Sequence, residues 1–294
     1  KDQSNIQLFA ISFVMLFLEI FLIRWISTEV RVFAYVSNLV LLACFLGIGL
    51  GCYFSKKDAN ILITIGALAF ISLMVHSRPF QGITNMLSGF SDSVIWYQAI
   101  KGKNFIPALN GTMLTTIMFL MISAVFVAPG QILGRLLDEH SNIIVGYSIN
   151  VAASLIGIWA FNAFSFLYTM PWSWFAFSLL ILLLFVRRTK FNIFLAISVS
   201  VFILLVTGAF NFSSQVMWSP YHKLSIYANV NSGIVNGNVI NVNNVGYMSV
   251  LDLSDEFIKR YPNWYDVGMR KYCQYELPYR FAASRDAVLI VGSG

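Results

Sequence analysis

The chain has 294 residues, of which 58% are apolar, 16% aromatic and only 11% charged, with a mean hydropathy of +0.73. Soluble globular proteins carry about 25% charged residues, so this composition excludes an ordinary soluble domain and indicates a membrane protein in a lipid bilayer. The formal charge of +6 predicts no nucleic-acid partner, because Lys and Arg that flank apolar spans are selected by anionic lipid and by the positive-inside rule.

Seven apolar stretches of membrane-crossing length predict a polytopic α-helical membrane bundle of about seven helices. The first lacks the small-residue cleavage site of a signal peptide and is therefore predicted to be a transmembrane helix. A polar loop is expected from Gln131 to His140, and an interfacial helix, or alternatively a re-entrant segment, within 78–109. The predicted spans are residues 7–26, 32–54, 60–77, 110–128, 142–167, 172–186 and 191–210.

Glu19 and Arg24 are ionisable residues in the first span, where such side chains are costly and usually face protein or a water-filled cavity. Five residues apart, they lie about 140° around a helix, so each is expected to meet a partner on another helix. The functional interpretation is a binding or proton-handling site. In the structural interpretation, Glu19 locks helices together while Arg24 extends to the headgroups.

The second span contains a GxGxG run formed by Gly47, Gly49 and Gly51. Dinucleotide-binding loops use similar glycines, but this run lacks a preceding strand and lies in an apolar span, which predicts close helix packing. Asn150, in the fifth span, is expected to hydrogen-bond between helices. The three histidines and three cysteines are scattered along the chain, and no metal site is predicted.

The composition changes after the last span, where β-branched runs are punctuated by Gly and Asn. This change predicts a helical domain over residues 1–211 and a small antiparallel β-domain over residues 212–280. Asn236-Gly237 has the sequence of a two-residue hairpin turn and is expected to connect two strands.

Residues 281–294 contain an apolar β-branched run followed by Gly292, Ser293 and Gly294. A buried strand that runs into a glycine turn predicts the first strand of a Rossmann-like α/β domain, with the remainder beyond Gly294 and these three residues at a cofactor. The turn alone leaves three alternatives open: a dinucleotide, an S-adenosyl cofactor, or an α/β domain without a ligand.

Lys and Arg residues cluster after the second, fourth and sixth spans, which would share one side of a seven-helix bundle. The positive-inside rule assigns that side to the cytoplasm, so the residues after the last span would lie on the opposite side. A domain that uses a cytosolic cofactor should not lie there. Either one span is miscounted or the tail is not a cytosolic enzyme.

Four short motifs occur in the tail: SPYHKL at 219–224, the segment 241–249, YELPY at 275–279 and VLIVGSG at 288–294. In this order they resemble four parts of the spermidine synthases: the start of the β-domain, a hairpin of that domain, the segment before the cofactor domain and the glycine loop.

The apolar half is similar to the bacterial integral-membrane spermidine synthase-like proteins. The resemblance is carried by EIFLIR at 19–24, GIGLG at 47–51, GRL at 134–136 and the segment 147–157.

The resemblance implies a multi-pass protein of the bacterial inner membrane that carries an S-adenosyl-type Rossmann-like domain. Gly292, Ser293 and Gly294 would bind decarboxylated S-adenosylmethionine or S-adenosylmethionine. The implied reaction is the transfer of an aminopropyl or other alkyl group to a small amine substrate, with Tyr221 and Glu276 at the substrate edge.

The alternative function is that of a transporter-like or structural subunit with a degenerate synthase-like domain. Such a subunit would assemble as a homo-oligomer or with other membrane subunits. Glu19 and Arg24 would then be its site residues, with Asn150 as a further intramembrane polar candidate.

Overall fold

The computed structural model describes residues 2–76, 105–209, 215–231 and 233–262, together with Leu277 and Phe281. Within these residues the chain is mostly helical and has one small antiparallel sheet. The chain divides into two compact units. The first runs from Lys1 to Ile226 and includes Asn241–Gly246, and the second comprises Tyr227–Ile240 and Tyr247–Gly294.

Each of the seven predicted spans overlaps a helix of the structure. Among the described residues, four helices are long and apolar enough to cross a membrane: α1, α5, α6 and α8. The described helices are α1 (Asp2–Glu29), α2 (Arg31–Tyr35), α3 (Ser37–Tyr53), α4 (Ile61–His76), α5 (Phe105–Asp138), α6 (Ile143–Phe166), α7 (Pro171–Leu182), α8 (Lys190–Ala209) and α9 (Asp255–Arg260), with a 3₁₀ turn at Leu183–Phe185.

The polar loop predicted from Gln131 to His140 is wrong, because α5 continues as a helix to Asp138. Gln131 and Arg135 of this stretch donate to backbone carbonyls just after α3. Arg135 donates from Nε and Nη2 to the carbonyl of Ser55, at 3.1 Å in both cases. The interfacial helix predicted within 78–109 lies almost entirely outside the described residues, and α5 begins at Phe105.

Aromatic side chains of α1 form the centre of the helical core. Phe17, Phe21 and Trp25 have no exposed surface. The Phe17 ring meets Phe161 of α6 edge to face, with centroids 5.6 Å apart. The Phe21 ring meets Phe175 of α7 in the same way at 4.6 Å. Because such pairs add to the energy of burial, α1 is held between α6 and α7.

Glycines allow α3 to approach the backbone of α5. A Cβ atom on Gly47 would lie 2.1 Å from the carbonyl oxygen of Ser123, and one on Gly51 would lie 2.4 Å from that of Val127. Helices that pack this closely require small residues at the contact. The predicted packing role of the glycine run is therefore confirmed for Gly47 and Gly51. A Cβ atom on Gly49 would have no atom of another residue within 4 Å, so Gly49 is not at the contact.

The four strands lie in the order β1-β2-β3-β4. The first pair is antiparallel, with Gln215 opposite Ile226 and Trp218 opposite Lys223. The strands are β1 (Gln215–Trp218), β2 (Lys223–Asn231), β3 (Ile234–Val242) and β4 (Val245–Leu251).

The hairpin turn predicted at Asn236-Gly237 is wrong, because both residues lie inside β3. Gly237 has a φ of +148°, and a Cβ there would lie 2.0 Å from the carbonyl oxygen of Val250, so this glycine permits a close approach of β3 to β4. The turn between β3 and β4 is formed by Asn243 and Asn244, with φ values of +50° and +63°. Two successive residues in the left-handed region are what a two-residue hairpin turn requires.

Ser254 begins the short helix α9 of the second unit. Its side-chain oxygen accepts the backbone N–H of Phe257 at 3.2 Å, which is the usual N-cap interaction. Its own backbone N–H donates to Oδ1 of Asp252 at 3.0 Å. This hydrogen bond stabilises the carboxylate and holds the pKa of Asp252 below its ordinary value.

Alanine at Gly47 or Gly51 should destabilise the protein by about 1–3 kcal/mol, because the added methyl group forces α3 away from α5. Gly49→Ala is the matched control on the same helix and should be neutral or slightly stabilising. Thermal unfolding in one detergent compares the three variants. Equal losses at all three positions would contradict the packing described here.

Candidate functional site

Polar side chains near the end of α1 meet residues of the β1–β2 turn, the start of β2 and the β3–β4 turn at one place. We call this place the junction and define it by Arg24, Glu29, Ser219, Lys223 and Asn244. All five residues belong to the first unit. They are far apart in the chain, and the Lys223–Glu29 contact alone spans 194 positions.

Arg24 joins α1 to α6 and to the turn that follows β1. Its Nη1 donates to the side-chain oxygen of Ser165, and its Nη2 donates to the carbonyl of Ser219. The guanidinium lies 5.2 Å from the ring centre of Trp174 and 5.8 Å from that of Trp218. Because both rings are almost fully buried, these cation–π contacts are partly shielded from water and correspondingly strong.

Glu29 accepts three hydrogen bonds from the start of β2 and from the β3–β4 turn. Lys223 Nζ lies 2.8 Å from Oε1 and 3.0 Å from Oε2, and Asn244 Nδ2 lies 2.9 Å from Oε2. The side chains of Lys223 and Glu29 are only 12% and 11% exposed. The pair is therefore largely desolvated, and removing either partner would leave a buried charge without compensation.

The turn between β3 and β4 positions the groups that bind Glu29. Asn243 Oδ1 accepts the backbone N–H of Lys223 at 3.0 Å, and the Asn243 N–H donates to the Lys223 carbonyl at 2.9 Å. Asn244 Nδ2 also donates to the carbonyl of Thr28 at 3.3 Å. The last carbonyls of a helix lack intrahelical partners, so Asn244 satisfies one of them and Lys223 places a cation near that end.

Tyr221 lies in the tight turn between β1 and β2. Ser219 Oγ accepts the backbone N–H groups of Tyr221 and His222 at 3.3 and 3.0 Å, which closes the turn. The Tyr221 side chain is 77% exposed. The predicted substrate-side residue is therefore at the surface, next to Ser219 of the junction.

The intramembrane candidates lie at different levels of the helices. Glu19 is 4% exposed on α1. It lies about 7.5 Å along α1 from Arg24. Asn150 is half-buried on α6, about 22 Å along that helix from Ser165. The structure thus brings Arg24 into the junction but does not bring Glu19 or Asn150 there.

The remaining candidates lie outside the described residues. These are Glu276 and the glycine turn of Gly292, Ser293 and Gly294. Their roles at a substrate and at an S-adenosyl cofactor, and the Rossmann-like strand before the turn, stay predictions. Within the described ranges, no three His, Cys, Asp or Glu side chains come close enough together to hold a metal ion.

Glu29, Lys223 and Asn244 are not predicted as site residues from the sequence. Two signals point towards them: Lys223 belongs to the SPYHKL motif, and Glu29 is an acidic residue directly after the first apolar span. The pairing of the two charges depends on the fold, because nothing local connects residues 194 positions apart.

Basic residues gather at the other end of α1. His140, just after α5, has its Nε2 2.9 Å from Oδ1 of Asn5 in the first turns of α1. Arg135, near the end of α5, also binds the carbonyl of Lys57 at 2.6 Å. Arg187 forms an ion pair with Asp58 at 2.7 Å. The junction and this basic end therefore lie at opposite ends of the first helix.

The chain matches no protein-family model, no curated protein and no solved structure. The resemblance to the spermidine synthase-like proteins therefore depends on the motifs quoted above. The geometry of the junction and the distribution of charge are observations that do not depend on that resemblance.

Glu29→Gln and Lys223→Met should each lower the free energy of unfolding by about 3 kcal/mol, because each leaves a buried charge unpaired. The double variant should lose much less than the sum of the two, since it removes both charges together. Chemical denaturation of the four proteins measures this coupling.

The control for this cycle is the exposed pair of Arg187 and Asp58, whose side chains are 51% and 84% exposed. Removing either of these charges should cost less than about 1 kcal/mol. Additive losses for Glu29 and Lys223 would show that their ion pair does not hold the junction.

Proposed function

We propose that the chain is a membrane-anchored, spermidine synthase-like protein whose helices hold an S-adenosyl-dependent alkyltransferase domain at the bilayer surface. One observation carries the proposal. Two segments that resemble the synthase β-domain, SPYHKL at 219–224 and the hairpin at 241–249, come together at the junction and bind the first helix through Lys223 and Asn244.

The junction suits an anchor because it joins the β-strands to the helices by buried polar contacts. An apolar contact alone tolerates sliding, whereas hydrogen bonds between charged groups require one geometry. Glu29, Lys223 and Asn244 would thus fix where the extramembrane part begins relative to the end of α1. The four membrane-span-like helices would retain the protein in the bacterial inner membrane.

The reaction would be alkyl transfer. The nitrogen lone pair of a small amine attacks the carbon next to the sulfonium of decarboxylated S-adenosylmethionine. The carbon–sulfur bond breaks, its electrons stay on sulfur as a neutral thioether, and the amine loses a proton to a base. The protein would contribute mainly positioning and removal of that proton. The glycine turn at Gly292–Gly294 would admit the cofactor, and the exposed Tyr221 and Glu276 would face the amine.

Calorimetric titration of the protein together with the domain predicted beyond Gly294, in lipid nanodiscs, tests cofactor binding. We expect decarboxylated S-adenosylmethionine, S-adenosylmethionine or methylthioadenosine to bind with a micromolar dissociation constant. Gly292→Val should abolish this binding because its side chain would occupy the space of the cofactor. Gly49→Ala, a glycine replacement in open space, should leave binding unchanged. A folded protein that binds none of the three compounds would contradict the transferase proposal.

The charge distribution favours a second candidate, a transporter-like or structural membrane subunit. Arg135, Arg187 and their neighbours lie at the end of α1 opposite to the junction. If the basic end faces the cytoplasm, as the positive-inside rule expects, the junction faces away from the compartment that supplies S-adenosyl cofactors. The appended domain would then be degenerate, and the helices would act in a homo-oligomer or with other membrane subunits.

The side of the membrane on which Tyr221 lies distinguishes the two candidates. Tyr221→Cys and Arg188→Cys, in a background without native cysteines, place thiols at exposed positions near the two ends of α1. The transferase proposal predicts that a membrane-impermeant maleimide labels only Arg188→Cys in intact spheroplasts. Labelling of only Tyr221→Cys would support the second candidate, and labelling of both would contradict their placement at opposite ends.

A further inference from the structure

Basic side chains of two loops come together at the end of the first unit opposite to the junction. One loop connects α3 to α4, and the other leads into α8. Arg187 Nη2 of the second loop lies 2.7 Å from Asp58 Oδ2 of the first, so the two loops are in direct contact. We call them the loop pair and define it by residues 56–58 and 187–190, all of which belong to the first unit.

The loop pair carries positive charge that the protein itself does not neutralise. Its five cationic side chains and its one acidic side chain are all exposed. Asp58 is paired with Arg187, and within the described residues no ion pair is formed by the other four cations. These four free cations are Lys56, Lys57, Arg188 and Lys190.

The first loop is held in place by the end of α5. Arg135 Nη2 donates to the carbonyls of Ser55 and Lys57 at 3.1 and 2.6 Å. Asp138 of the same helix accepts a hydrogen bond from Ser55 Oγ at 3.4 Å, and the charge of Arg135 offsets that of this carboxylate. The Lys57 ammonium lies 4.4 Å from the centre of the Phe54 ring. The lysines of this loop are therefore presented from a fixed backbone.

Exposed apolar faces of two helices begin directly beside the loop pair. Helices α4 and α8 both start at this end and pack against each other. On α4 the exposed residues Ile63, Gly66 and Phe70 recur at i, i+3 and i+7, so they share one face. A Cβ atom on Gly66 would meet open space, so this face has a recess between two larger side chains. On α8, Phe191 and Phe194 are exposed as well.

We propose that the loop pair and the recess at Gly66 form a binding site for an anionic phospholipid, whose phosphate is held by the free cations and whose acyl chain lies along α4.

The combination of charge and apolar surface selects this ligand. A phosphate group accepts charge-assisted hydrogen bonds from Lys and Arg, and the net charge of an anionic lipid complements the unpaired cations. A zwitterionic lipid brings its own cation, and a soluble anion has no chain to cover the apolar face of α4. Anionic phospholipid is the ligand that satisfies both surfaces at once.

The starts of α4 and α8 add little to this attraction, because side chains already cap both helices. Asn60 Oδ1 accepts the backbone N–H of Leu62 at 3.1 Å, and Thr189 Oγ1 accepts that of Asn192 at 3.3 Å. The side-chain cations are therefore the main binding groups for the phosphate.

Native mass spectrometry of the full chain in detergent measures this binding. The protein should bind phosphatidylglycerol about tenfold more tightly or more than phosphatidylcholine with the same acyl chains, because several cations attract the net charge. A large excess of inorganic phosphate should not displace the lipid, since phosphate lacks the chains that contact α4. Equal affinity for the two lipids, or displacement by inorganic phosphate, would overturn the proposal.

Two charge variants locate the headgroup. The double variant Lys57→Gln, Arg188→Gln removes one cation from each loop and should lower the preference for phosphatidylglycerol about tenfold. Lys259→Gln, Arg260→Gln is the matched control, because it removes the same two residue types from exposed positions in the second unit. This control should keep the preference. Equal losses in the two double variants would show that overall charge, and not the loop pair, attracts the lipid.

Two glycine variants locate the acyl chain. Gly66→Phe fills the recess without meeting another helix. It should weaken phosphatidylglycerol binding about fivefold, which corresponds to the loss of one or two methylene contacts. Gly49→Phe also faces open space, but on α3, and should leave binding unchanged. Unchanged binding in Gly66→Phe would overturn the placement of the lipid on α4. None of these measurements depends on the transferase reaction or on a bound S-adenosyl compound.

Discussion

An ionised carboxylate buried at the end of a helix is stable only when it is paired, and this requirement fixes the junction. Glu29 is 11% exposed, so its charge demands donors that the helix itself cannot supply. Lys223 and Asn244 provide them from strands that lie far along the chain. Arg24, five residues earlier in α1, likewise needs hydrogen-bond acceptors. It donates to the Ser165 side chain and to the Ser219 carbonyl. The folding of α1 and the docking of the β1–β2 and β3–β4 turns are thereby coupled.

The position of the junction bears directly on function. The segments that resemble a synthase β-domain bind one end of α1, and the basic residues gather at the other. If these segments begin a catalytic domain, the basic end must face away from the cytoplasm, against the positive-inside rule. If the rule holds, the domain lies outside the reach of a cytosolic cofactor. The energetic role of the ion pair is the same in both cases, because it depends on burial and not on the side of the membrane.

Each predicted span overlaps a helix, and Gly47 and Gly51 pack as predicted, because apolar length and small residues are local signals. Predictions from the sequence are wrong where a residue has a structural role that its residue type does not usually have. Gly237 permits the approach of β3 to Val250 instead of forming a turn, and the turn is made by Asn243 and Asn244. Arg135, a polar residue in an expected loop, binds carbonyls of another helix. The pairing of Glu29 with Lys223 has no local signature, since it arises only when the chain is folded.

The central claim is that the β3–β4 turn lies on the end of α1 in the membrane-bound protein. The most direct measurement is crosslinking of a Thr28→Cys, Asn244→Cys pair in native membranes with a short thiol-reactive linker, after replacement of the native cysteines. We expect rapid intramolecular crosslinking, because Asn244 Nδ2 lies 3.3 Å from the Thr28 carbonyl. We expect no crosslinking between Thr28→Cys and Asn142→Cys, because Asn142 lies near the other end of α1. Crosslinking of the second pair, or no crosslinking of the first, would show that the β3–β4 turn does not lie on the end of α1.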